Sequence, residues 1–202
     1  KWLAFLAFDA GNIDLAHKML ISLPAEISFK PSEKNRAEYI AGLHRLMHGK
    51  FLLPEASTIP EYTAVTGRIL YVAASVLPYH NTGYTLRTHA LLQALQKTGA
   101  EVLCVTRPGY PEDRPDSKRV ETAGVSVIDG VRYETLLGPH RRKLGLDQYL
   151  LKSAEILIDK ARAEKPSIIH AASNYEVALP ALIAARTLGI PFIYEVRGLW
   201  EY

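Results

Sequence analysis

Cysteine is almost missing: Cys104 is the single thiol in 202 residues. One thiol builds neither a disulfide framework nor a cysteine zinc site, and it fits a reducing compartment. Long apolar runs are also missing. None comes near the ~18 residues of a membrane span. The longest, Trp2 to Phe8, is too short for a signal-peptide core and has a poor basic flank. Charge of one sign is scarce. A net charge of +3 without a clustered basic stripe excludes a dedicated nucleic-acid binder. The seven histidines show no metal-ligand spacing such as HxxxH with a third partner, so no metal is expected. Neither GxGxxG nor a Gly-Lys-Ser/Thr P-loop occurs, which removes both glycine-rich phosphate fingerprints. With 48% hydrophobic and 22% charged residues, intrinsic disorder is excluded as well.

What is present falls into two parts. Residues 1–50 carry helical periodicity. Lys1 to Ala10 is dense in apolar residues and alanine, Gly11-Asn12 breaks it, and Leu15, Ala16, Met19 and Leu20 form the next stripe up to Ile21. Pro24 ends that helix; Pro31 suits a first helical turn, and Ala37, Ile40, Leu43, His44 and Met47 form another stripe. Residues 51–66 lose the period and hold Pro54 and Pro60, so they read as a linker. From 67 onward strands and helices alternate. Arg68 to Ala74 is a continuous apolar run suited to a strand buried on both faces, followed by a helix from Gly83 to Thr98 and a strand from Glu101 to Thr106. Residues 107–118 read as a mobile surface loop. Asp129-Gly130 marks a hairpin between Val125–Ile128 and Val131–Thr135. A helix over 146–164, a strand over 167–171, a helix over 176–188 ended by Gly189, and a strand over 192–196 complete the pattern. This predicts a Rossmann-like doubly wound, mostly parallel α/β sheet with a helical segment ahead of it. Lys1 opens in mid-helix pattern without methionine, and Tyr202 follows a strand with no covering helix, so a piece of a longer protein is expected.

In such sheets ligands bind beyond the carboxyl ends of the strands. That rule selects Ser75 to Thr82 with Gly83, then Arg107 to Lys118, Ala172 to Tyr175, and Arg197 to Tyr202. Gly83 lets a backbone N–H approach an anion at a helix start, or merely permits a turn. His80 is a candidate proton shuttle, whereas His89, beside an apolar stripe, suits a local hydrogen bond. His140 to Lys143 is a basic cluster that could meet an acidic acceptor or a phosphate lipid surface, or be a solvated loop. Arg197 can grip a phosphate or carboxylate with its planar fork, or form a structural pair with Glu195 or Glu201.

Arg68-Ile-Leu-Tyr-Val through Gly83-Tyr84, Glu101 to Thr106, Pro166 to Ser173, and Gly189-Ile-Pro through Arg197-Gly-Leu-Trp-Glu201 together resemble the opening half of glycosyltransferase family four. The resemblance implies the amino-terminal, acceptor-side domain of a GT-B enzyme, cut before the donor domain. It implies retaining transfer of a sugar from a nucleotide-sugar donor to a glycan or lipid-linked acceptor, without cofactor or metal. Arg197 becomes the catalytic candidate; Gly83, Tyr84, His80, Asn174, Tyr175 and Glu195 become acceptor or phosphate contacts. Many members carry a histidine where this chain has Arg197, and arginine cannot act as a base; it can still stabilise a departing phosphate. The fragment alone is expected to be inactive. Ala4, Ala7, Gly11, Asn12, Ile13, Ala16 and Leu20 resemble part of a tetratricopeptide repeat, which implies a protein-binding surface. The implied setting is bacterial polysaccharide biosynthesis in the cytoplasm, at the inner membrane face, with peripheral membrane association. Two alternatives stay open: a non-catalytic scaffold, and a nucleotide-binding oxidoreductase or epimerase, against which the missing GxGxxG counts.

Overall fold

The computed structural model describes residues 1–49, 53, 55, 62–116 and 124–198. Most of the expected linker 51–66, the end of the loop 107–118, and Trp200 and Glu201 lie outside the described residues. The chain divides into two compact units: Lys1–Leu52 with Pro139–Leu150, and Leu53–Gly138 with Leu151–Tyr202.

The first unit is helical: α1 (Trp2–Asp9), α2 (Ile13–Ile21) and α3 (Pro31–Met47). Gly11 at φ +81° turns the chain between α1 and α2, a backbone state that favours glycine. Asn12 caps α2 by accepting from Leu15 N, and Pro31 occupies the first turn of α3. Phe5, Ala16 and Ile40, one from each helix, are buried together with Phe8, Leu20 and Phe29 against them. Nothing in the sequence pattern signals that 139–150 belongs with these helices. It does so through a forked ion pair, Arg45 Nε and Nη2 to the two Asp147 oxygens at 2.7 and 2.8 Å. Gly42 makes room for it: a Cβ there would meet Leu146 N at 2.4 Å.

The second unit is a six-stranded sheet in the order β3-β4-β2-β1-β5-β6. Its elements are β1 (Val65–Ala73), α4 (Gly83–Lys97), β2 (Glu101–Thr106), β3 (Val125–Ile128), β4 (Val131–Glu134), α5 (Leu146–Glu164, shared with the first unit), β5 (Pro166–Ala172), α6 (Tyr175–Leu188) and β6 (Phe192–Glu195). All neighbours are parallel except the β3–β4 hairpin, whose Asp129 and Gly130 both take positive φ. This is the expected doubly wound α/β architecture. Apolar side chains alternate across β1: Leu70 and Val72 face a core shared with α5 and α6, while Tyr71 and Ala73 face one that includes Leu92 of α4. Both faces being covered explains the continuous apolar runs. Cys104 is buried in the second core, in register with Tyr71 on one side and Tyr133 on the other.

Two features differ from the sequence reading by more than a residue or so. Strand β1 starts at Val65, ahead of its apolar run, because Val65 pairs with Pro166 across an irregularity in register. The segment read as a mobile surface loop is in fact largely buried: Arg107 is 4%, Tyr110 0% and Asp113 2% exposed. Arg107 binds both oxygens of Asp113 at 2.5 and 2.7 Å, so its charge enters the interior already paired. Prolines and charges in a sequence suggest solvent only until such pairing is seen.

Candidate active site

The sheet order sets where a ligand can sit. From β1 the chain crosses through α4 to β2 on one side, while β5 lies on the other side of β1. The loops leaving β1 and β5 therefore diverge, and the carboxyl ends of these strands are where sheets of this topology hold ligands. Two helices begin at that edge, α4 at Gly83 and α6 at Tyr175.

Thr82 caps α4 reciprocally with Thr85: Thr82 N donates to Thr85 Oγ1 at 2.9 Å, and Thr85 N donates to Thr82 Oγ1 at 3.4 Å. Gly83 follows, exposed, and a Cβ built on it would meet nothing within 4 Å. The backbone there is not left-handed, so the fold does not demand glycine. Asn174 precedes α6, and its side chain does not cap the helix. Between β5 and α6, Ser173 holds φ +99°, a strained state for a residue other than glycine, fixed by its N–H to Glu195 O at 3.1 Å. Tyr175 is exposed beside it.

Arg197 sits deeper than its place past the last strand suggests; its side chain is 6% exposed. A guanidinium has five N–H groups, and here all are used. Nε donates to Glu195 Oε1 at 2.9 Å. Nη1 donates to Tyr84 O at 3.0 Å and Thr88 Oγ1 at 2.6 Å. Nη2 donates to Tyr71 OH at 2.7 Å and Glu195 Oε2 at 3.0 Å. The cation also lies 4.7 Å from the Tyr84 ring centroid. Burial alone would lower the Arg197 pKa, but its bonds to Glu195 outweigh that and the net direction is upward. Glu195 is the counterpart. Burial pushes its carboxyl up, yet hydrogen bonds from Arg197 and Tyr71 leave it below its ordinary value. Tyr71 OH donates to Glu195 Oε2 at 2.9 Å, and Arg87 Nη2 reaches Oε1 at 3.2 Å.

His170 on β5 stacks at a tilt against Tyr71, centroids 4.6 Å apart. Its buried Nε2 is 3.4 Å from Glu195 Oε2 but lacks hydrogen-bond geometry. Burial lowers the His170 pKa, and the attraction of Glu195 only partly opposes it.

Tyr84 is a staple: its OH accepts from Ala74 N at 3.0 Å and donates to Ala172 O at 3.1 Å, joining the ends of β1 and β5. Burial pushes this phenol up to about 12. His80 belongs to a neighbouring group. Its Nδ1 is 2.5 Å from Tyr110 OH and its Nε2 3.2 Å from Asp116 Oδ2. Hydrogen bonds from Arg114 hold the Asp116 carboxyl far below the carboxylate range.

The structure thus brings Tyr84, Glu195 and Arg197 into one network, sets His80 in another, and places Gly83, Asn174 and Tyr175 at the helix starts. Tyr71, Arg87 and Thr88 complete the Arg197 network and were not visible in the sequence. A tyrosine inside an apolar run reads as core, and Arg87 and Thr88 read as polar positions of the expected helix. His170 comes beside Tyr71 only through the register of β1 with β5.

The model of the glycosyl transferase 4-like domain matches residues 82–202. The chain belongs to that family. The match to the glycosyl transferase 4-like domain opens at Thr82, the cap of α4, and takes in Tyr84, His170, Asn174, Glu195 and Arg197, while Tyr71 and His80 precede it. Among solved structures, MurG of Acinetobacter baumannii is similar at 21% identity with a TM-score of 0.40, over 64% of this chain and 35% of that one. The chain therefore spans about a third of that protein's length. No curated protein matches it. Among the described residues of this glycosyltransferase-family domain, no helix is long and apolar enough to cross a membrane.

Proposed function

We propose that this chain is the acceptor-side half of a retaining GT-B glycosyltransferase, which moves a sugar from a nucleotide-sugar donor to a glycan or lipid-linked acceptor. The reading places it in polysaccharide assembly at the cytoplasmic face of a bacterial inner membrane. The bond from an acceptor hydroxyl oxygen to the sugar C1 forms, the C1–phosphate oxygen bond breaks, and the nucleotide phosphate leaves with the electron pair and takes up the hydroxyl proton. No metal or cofactor of the chain enters this scheme.

One observation carries the reading: Gly83 is open, unstrained and unneeded by the fold, at a helix start beside the crevice. Unpaired N–H groups and the positive end of the helix favour an anion there, such as an acceptor or donor phosphate. Asn174, Tyr175 and His80 line the same edge and serve the acceptor. Arg197 has spent its N–H groups on the protein, so its role is to hold Glu195 and the first turn of α4 in place.

The test is sugar transfer from labelled nucleotide sugars by the complete protein that contains this chain. Gly83→Val should fold normally yet slow turnover by about tenfold to a hundredfold, because ground lost in positioning is lost in rate. The chain alone should transfer nothing. Wild-type rates for Gly83→Val, or transfer by residues 1–202 alone, would overturn the assignment.

A second reading for the helical unit rests on α1, where Trp2, Leu3 and Leu6 are 72%, 67% and 60% exposed. An apolar patch of that kind suits the protein-binding role that the repeat-like residues imply.

A further inference from the structure

We propose that the helical unit carries a divalent transition-metal site made by Asp14, His44 and His48, with zinc as its reference ion. None of these residues belongs to the crevice network.

The site follows from helix geometry. His44 lies in the last turn of α3 and His48 is its C-terminal cap, four residues on. That spacing puts two imidazoles on one face of a helix, one above the other. Sequence alone offers no third ligand for them. The fold supplies it, because α2 packs beside α3 and presents Asp14 from its first turn. The same atom of each ring is turned to the same carboxylate oxygen: His48 Nε2 is 2.6 Å and His44 Nε2 3.6 Å from Asp14 Oδ1. The three ligand atoms lie within 4.8 Å of one another. Around a tetrahedral zinc, with bonds of about 2.0–2.2 Å, ligand atoms stand about 3.3–3.6 Å apart. The His44 spacing falls at the upper end of that range and the His48 spacing below it, and Asp14 and His48 are exposed enough to turn into it.

A third imidazole fixes the arrangement. His17, one turn beyond Asp14 on α2, stacks on His44 with centroids 3.9 Å apart and planes 14° from parallel. It sets the plane in which His44 aims its nitrogen. The His44 and His48 rings lie 4.2 Å apart, tilted by 37°. A simple ion pair would need one histidine and one carboxylate. Here two rings converge on one oxygen, and a third orders them.

The donor set selects the ion. Two imidazoles with one carboxylate suit zinc and its neighbours nickel, cobalt and copper rather than calcium or magnesium, which want oxygen ligands. Three protein ligands leave a coordination position for water, and the Asp14 side chain, 68% exposed, leaves access to it. Bound metal would clip the start of α2 to the end of α3.

The experiment uses residues 1–202 purified without a polyhistidine tag. Titration calorimetry with zinc chloride should show one equivalent bound, and cobalt should give the visible absorption of a site with nitrogen and oxygen ligands. His44→Ala and His48→Ala should each weaken zinc at least about tenfold, the loss already seen when only outer partners of a ligand are removed. Asp14→Asn, at an exposed position that leaves the helices intact by circular dichroism, should do the same. His140→Ala should not change affinity. At one zinc concentration, the rise in melting temperature should be clearly larger for the wild-type chain than for Asp14→Asn. Absence of binding up to millimolar zinc and cobalt, or binding that survives all three ligand variants, would overturn the site.

Discussion

Arg197 shows how much one side chain can tie together. Its five donors reach a strand tyrosine, a strand glutamate, a helix carbonyl and a helix hydroxyl. Removing it takes the forked partner from Glu195 and leaves Tyr71 and Arg87 to hold the carboxylate. Arg197→Ala is expected to lower stability by about 3 kcal/mol, because a largely buried carboxylate loses its main counter-charge. Arg197→Lys should cost less but still be measurable, since a lysine keeps the charge and loses the planar fork. Urea midpoints check both; a loss under ~1 kcal/mol for the alanine variant would mean that water replaces the network. The same cluster predicts a pH profile. His170 has a folded pKa below its ordinary 6.5, so the unfolded chain binds its proton first, and stability falls as pH drops below that value. Glu195 is also lowered, from 4.5, and its contribution is present above that value and lost as pH falls through its folded pKa. Unfolding free energy should therefore decline in two stages on acidification. His170→Gln should remove the first stage and keep the second; an unchanged profile would exclude His170 as its source.

At the scale of elements, the contrast among glycines separates fold from function. Gly42 and Gly138 are required by packing, since a Cβ would come within 2.4 Å of neighbouring atoms. Gly83 has no such neighbour. Gly83→Ala should hold or slightly raise stability, alanine being the better helix former, and this is why the turnover of Gly83 variants reports on ligand and not on folding. The order of strands and helices was legible because buried parallel strands write unbroken apolar runs and because Asp129-Gly130 and Gly189 punctuate them. The helix start at Gly83 was legible for the same reason. Less legible was anything that depends on pairing across distance. The Arg107–Asp113 pair turned an apparent surface loop inward, Arg45–Asp147 drew 139–150 to the helices, and the Tyr71 hydroxyl became a polar anchor inside a run that looks purely apolar. The histidines behave alike. Two of them share a helix face, but the aspartate that completes the group is thirty residues upstream of the nearer one by number and adjacent only after folding.

At the scale of the whole molecule, Cys104 acquires a use unrelated to chemistry at the crevice. The only thiol in the chain lies mid-sheet, 2% exposed, with Tyr71 and Tyr133 in register on either side, and burial pushes its pKa up. A thiol reagent can reach it only when the core between the sheet and α4, where it packs with Leu92, comes open. Each molecule therefore carries a clock that records one event, the opening of that core, as one mass increment. Labelling of the folded chain should be slower than that of the chain in urea by on the order of a thousandfold or more, the ratio expected of a domain with ordinary stability. Mass spectrometry over a time course checks it, and labelling at the free-thiol rate would show that this core opens locally without unfolding. Because no second cysteine competes for the reagent, the same clock reads how any bound sugar nucleotide, acceptor or metal ion slows the breathing of the sheet, with no engineered probe.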